Sequence, residues 1–356
     1  MEIKQDLMTP KERMQAFAQG KPTDRIPCNP IMGETLSSLI GRTTYEVYHD
    51  PEVYADLEIA LFRKFRHDAV GVGIGLREVA EAMGTKVIYP PNNISYVAEP
   101  ALKDIRDVAK LSPVNPYQDG KIPIRLIALK MTRDALFKEV NVSCGIPGPF
   151  TTASGLLGTE NLLKALIKYP EKVHELMEII VESNFRIIDI AAEMGVGIGI
   201  ADPISSSTII SKKFFQIFSM PYVEKCIDRI KQKTGGGMSI HVCGKSKKIW
   251  GDLVEIGITS LSIDDIEDLE DAKNAVGDKV CLVGNVPPVD IVRNGTYEDV
   301  VRESKFCIKK AHDNPKGFIL STGCQIPMNA PIENIQALLD TARSYGVYPV
   351  KPELWE

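Results

Sequence analysis

The sharpest chemical pattern in the chain is Ser239-Ile240-His241-Val242-Cys243-Gly244. Residues two apart on a strand project to the same side. On a strand, His241 and Cys243 therefore offer an imidazole and a thiolate to one ion, while Val242 packs behind them. That pairing of nitrogen with soft sulfur suits zinc. A third donor lies far downstream, in Ser321-Thr322-Gly323-Cys324-Gln325-Ile326-Pro327. Gly323 permits a backbone conformation that swings the Cys324 thiol over the same place. Three protein ligands with a fourth position open is the pattern of a catalytic zinc, whereas structural sites are usually closed by four. The plainer alternative for His241 and Cys243 alone is a buried cysteine beside a structural histidine. The other cysteines are Cys28, Cys144, Cys226, Cys281 and Cys307. With an odd total and wide scatter, metal binding or burial is favoured over a disulfide framework.

Positioning donors so far apart in sequence requires a fold that gathers strand ends. Eight short apolar or β-branched runs read as strands, at 25–32, 68–74, 138–144, 196–202, 237–243, 260–264, 280–285 and 317–322. Helical patterns lie between most of them, at 161–167 with 171–194, at 211–233 and at 303–312. Alternating strands and helices imply parallel pairing, because parallel neighbours need a crossover. Eight units predict an α/β fold of the (β/α)8 barrel type, which typically takes about 250 residues. The surplus falls in an N-terminal extension, in a β-hairpin insertion within 84–97, and in a polar stretch at 102–122. These decorate one barrel domain spanning 1–356. An open doubly wound sheet is the runner-up, but no G-x-G-x-x-G stands between a strand and a helix.

In a barrel, the C-terminal ends of the strands carry the chemistry. Asp202, Cys243, Asp264 and Asn285 each end a predicted strand, and Cys324 lies just past one. Asp202 can orient a substrate group or a ligand histidine, or cap the turn at 205–207. Asn285 can donate to a bound cofactor or substrate, or serve only as a turn residue. Lys245, Lys247 and Lys248 follow the His-x-Cys pair and can draw an anionic acceptor or an acidic partner, or form a solvated face.

Composition narrows the class. Hydrophobic residues make up 44% and charged residues 25%, and the net charge is -5, which argues against a broad nucleic-acid surface. No apolar run reaches the length of a membrane span, and the polar first residues show no export signal. The chain reads as cytoplasmic.

His241-x-Cys243 with the distant Cys324 resembles the zinc motif of methylcobamide:coenzyme M methyltransferases, within the uroporphyrinogen decarboxylase-like superfamily. The resemblance runs over nearly the whole chain. It includes Thr9-Pro10-Lys11-Glu12-Arg13, Asp24-Arg25-Ile26-Pro27, Gly148-Pro149-Phe150-Thr151, Ala201-Asp202-Pro203 and Gly284-Asn285-Val286. It implies a (β/α)8 barrel and a zinc-dependent transfer of methyl from a methylcobamide, supplied by a separate corrinoid protein, to a small acceptor. A thiol such as coenzyme M is the acceptor the resemblance implies; tetrahydrofolate is the alternative. It also implies a carboxylate at the metal after the next strand, where Asp264 stands and Asp265 is its neighbour. The family more often has a glutamate there. Two rival readings are uroporphyrinogen decarboxylase itself and a non-catalytic corrinoid-handling barrel. The first is disfavoured because 26–34 lacks an arginine cluster, the second because the metal set is intact.

Overall fold

The computed structural model describes residues 3–355. Met1, Glu2 and Glu356, at the ends of the expected barrel domain, lie outside the described residues. In chain order the strands are β1 Ala69–Gly73, β2 Lys86–Ile88, β3 Tyr96–Glu99, β4 Asn141–Pro147, β5 Gly197–Ala201, β6 Ser239–Val242, β7 Ser260–Ile263, β8 Cys281–Val286 and β9 Phe318–Thr322. β2 and β3 form the antiparallel hairpin insertion. The other seven make one sheet in the order β1-β4-β5-β6-β7-β8-β9, with every neighbouring pair parallel.

The first expected strand, 25–32, is present but irregular. Cys28 bridges Leu320 of β9 in parallel, through Leu320 N–H to the Pro27 carbonyl (2.9 Å) and Asn29 N–H to the Leu320 carbonyl (2.8 Å). On its other side the Cys28 carbonyl accepts from Asp68 N–H, just before β1, at 3.0 Å. Pro27 and Pro30 have no N–H to give, so a regular ladder cannot extend along this segment. It is nonetheless the eighth stave, and it closes a (β/α)8 barrel between β9 and β1.

The seam is reinforced by a buried carboxylate. Asp68, fully buried, accepts from Cys28 N–H at 2.7 Å, from Arg25 Nη1 at 2.8 Å and from Arg13 Nη1 at 2.6 Å. Arg13 lies on the helix Pro10–Ala18, started by a Thr9–Glu12 capping box with Pro10 in the first turn.

Strand alternation explains the core. Val70, Val72, Cys144, Ile146, Ile198, Ile200, Ile240, Val242, Leu261 and Ile263 are buried, forming the outward layer beneath the helices. The opposite face carries small residues, Gly71, Ser143, Gly197, Gly199 and Ser239, and these remain partly or fully exposed. Branched side chains enter this face at Val283 of β8 and Ile319 of β9, which pair with each other, so the centre holds fewer bulky layers than is typical of such barrels. Among the described residues no helix is long and apolar enough to cross a membrane.

Candidate metal centre

β6 brings His241 onto the small-residue face, paired with Ser262 of β7. His241 Nδ1 lies 3.0 Å from Ser262 Oγ, so a proton on Nδ1 donated to that hydroxyl leaves the Nε2 lone pair free. Nε2 points to Cys243 Sγ at 3.0 Å, and Cys243 Sγ lies 3.5 Å from Cys324 Sγ. The three donor atoms fall within 4.8 Å of one another, the only such group of His, Cys, Asp or Glu among the described residues. Donors held about 2.0–2.3 Å from a tetrahedral ion stand about 3.3–3.8 Å apart. The 3.5 Å sulfur–sulfur spacing falls in that range, the 3.0 Å nitrogen–sulfur spacing is a few tenths of an ångström tighter, and two sulfurs with one imidazole fit zinc chemically.

Electrostatics favours a thiolate here. A hydrogen bond from Cys243, helped by His241, holds the Cys324 thiol below its ordinary range despite burial. The same hydrogen bond pushes Cys243 up. By contrast, burial alone pushes Cys144 up to about 12, so it is an inert core residue.

Two glycines shape the site. Gly244 turns the chain immediately after Cys243 with φ +74°, a left-handed conformation suited to glycine. Gly323, expected to serve by backbone freedom, serves by size instead: a Cβ there would lie 2.4 Å from the Asp265 nitrogen. The loop carrying Cys324 thus rests directly on the loop after β7.

The other expected residues gather around this centre without joining the donor group. Both Asp264 oxygens are occupied by backbone amides, Oδ2 by Gly244 N–H at 2.7 Å and Oδ1 by Ile266 N–H at 3.1 Å. Burial and the Asp264 charge push Asp265 up to about 6. Asn285 Nδ2 donates to the carbonyls of Asp264 (3.0 Å) and Glu267 (2.7 Å), so it braces the β7 loop. Asp202, fully buried, accepts from Thr151 N–H (2.8 Å) and Thr151 Oγ1 (2.6 Å) in the first turn of the helix Pro149–Leu157. Ser262 and Glu267 carry contacts at this site that the sequence alone did not single out.

This architecture belongs to a defined class. The Uroporphyrinogen decarboxylase (URO-D) family pattern matches residues 9–345, and the chain belongs to that family. Among its relatives, a methylcobamide:CoM methyltransferase of Methanosarcina barkeri is 28% identical over 95% of this chain and 98% of its own length. Another methylcobamide:CoM methyltransferase, from Methanosarcina acetivorans, is 27% identical over 95% of this chain and 98% of its own. A solved methyltransferase from Methanosarcina mazei superposes with a TM-score of 0.83 at 26% identity, covering 94% of this chain and 98% of that one.

Proposed function

We propose that this single-domain barrel is a zinc-dependent methyltransferase that moves a methyl group from a methyl-corrinoid protein to a small thiol such as coenzyme M. The observation that carries the reading is the convergence of His241 Nε2, Cys243 Sγ and Cys324 Sγ from two distant strand ends. The near full-length similarity to methylcobamide:CoM methyltransferases supports the same chemistry.

Bound by these three residues, zinc would supply a Lewis acid that lowers the pKa of an acceptor thiol and holds its sulfur at the barrel mouth. The two cysteine thiolates offset positive charge there, and Ser262 keeps the imidazole in the orientation that frees Nε2. In the overall reaction the acceptor thiol loses its proton, its sulfur forms a bond to the methyl carbon, and the cobalt–carbon electron pair stays with cobalt. The mouth at the C-terminal strand ends is the face to which a corrinoid must be presented.

The test joins metal content to turnover. Wild-type protein should hold one zinc per chain and methylate a thiol from methylcobalamin. Cys243→Ser and Cys324→Ser should each lose most zinc and transfer while remaining folded, because the core is apolar and independent of the ion. Full zinc and activity in both variants would remove the site. Transfer to tetrahydrofolate with no thiol methylation would redirect the acceptor assignment.

A further inference from the structure

The loop after β7 reaches the backbone that follows Cys243 at two points. Asp264 accepts from Gly244 N–H, and Glu267 Oε1 accepts from both Ser246 N–H (2.5 Å) and Lys247 N–H (2.9 Å). Three amides directly beyond a sulfur donor are thus held by two carboxylates of a neighbouring strand's loop. The same loop is pinned from β8 by Asn285, and its Asp265 backbone packs against Gly323, next to Cys324. One loop therefore sets the course of both sulfur-bearing segments.

We infer that Asp264 and Glu267 are positioning residues of the metal centre, holding the Cys243 segment through its amides while ligating nothing themselves. The inference rests on the zinc reading above. Hydrogen bonds from amides to a carboxylate are short and about twice as strong as neutral ones. Asp264 stands outside the donor group, so bringing an oxygen to the metal would draw that oxygen away from the Gly244 or Ile266 amide it now holds. Glu267 lies outside the donor group, yet it fixes the residues that keep Gly244 in its left-handed turn. Residues that orient metal ligands typically contribute 10–100-fold to metal affinity.

The test uses the full chain and reads the metal, not turnover. Zinc affinity is measured by chelator competition, and the sulfur-to-metal charge-transfer band is recorded after cobalt(II) substitution. Glu267→Ala should bind zinc about 10–100-fold more weakly and shift the band. Glu267→Gln, whose amide oxygen still accepts, should recover most of both. Asp264→Asn should fall between them, with no oxygen ligand lost from the resting site by X-ray absorption. If Glu267→Ala does not fold, Glu267→Asp, one methylene too short to reach both amides, makes the same comparison. Wild-type affinity and an unchanged band in the Glu267 variants would overturn the inference for Glu267. An oxygen ligand that disappears in Asp264→Asn would overturn it for Asp264. A wild type that binds no zinc would overturn the functional reading as well, which separates the two failures.

Discussion

Asp202 shows how a residue at a strand end can be legible as important while its role is not. Its carboxylate accepts from the backbone and hydroxyl of Thr151 and from Ser219 Oγ at 3.3 Å. It therefore caps the helix Pro149–Leu157 from outside that helix. Asp202→Ala leaves three buried donors without their acceptor and should cost about 2–4 kcal/mol in urea unfolding. Asp202→Asn keeps an acceptor oxygen and should be close to neutral. Burial pushes Asp202 up to about 6, above its ordinary 3.8, so the folded state favours the protonated form. Its contribution is then complete below pH ~4 and is lost as pH rises through ~6. Wild type should accordingly lose stability relative to Asp202→Asn over that window, and parallel pH profiles would refute this. The same variant separates the roles: retained methyl transfer marks a cap, lost transfer marks a group acting on substrate. His241 and Cys243 were readable because a period of two places them together whatever the loops do. Glu267 was not, because its partners Ser246 and Lys247 become neighbours only when two loops meet.

At the scale of elements, seven strands lie where the alternation of apolar and small residues puts them, with ends shifted by up to three residues. β4 runs on to Pro147, so Cys144 sits inside the strand and not at its end. The helical pattern at 211–233 resolves into two helices, Lys212–Phe218 and Met220–Thr234. Pro221 accounts for the break, since it removes an N–H and clashes with the carbonyl four residues earlier. Hydrophobic periodicity does not register such a break, just as it does not register the prolines that make the eighth stave irregular. That stave depends on one buried acid. Asp68→Ala would take one buried carboxylate partner from each of Arg13 and Arg25, leaving them Asp24 and Asp6, and would cut the Cys28 amide bond. A loss of about 3–5 kcal/mol is expected, read as a lower thermal midpoint with zinc affinity per folded molecule unchanged. A fall below 1 kcal/mol (roughly the worth of an exposed pair) would show that the seam closes without it.

For the whole molecule, the lysines beyond Cys243 offer a test of the proposed docking of a corrinoid protein. Lys247 pairs with Asp271 at 2.6 Å, but the side chains are 56% and 53% exposed, so the pair is easily exchanged for another partner. Reversing charge at Lys247 and Lys248 together should raise the apparent KM for a methylated corrinoid protein by several-fold and leave free methylcobalamin unaffected, with a stronger effect at low salt. Equal changes for both donors would remove these lysines from the docking face. The eighth stave also ties the barrel to the timing of its own synthesis. Asn29 and its neighbour Ser321 are 292 residues apart. At translation rates of about 5–20 residues per second, roughly 15–60 s pass between them. Until β9 emerges, the seam beside the stave stays open, and Cys243 waits for Cys324, 81 residues further along. If the proposed zinc site is right, metal capture falls among the last events of biosynthesis, and a nascent chain stalled before Phe318 would expose an unpaired sheet edge to chaperones with only two of the three proposed donors made.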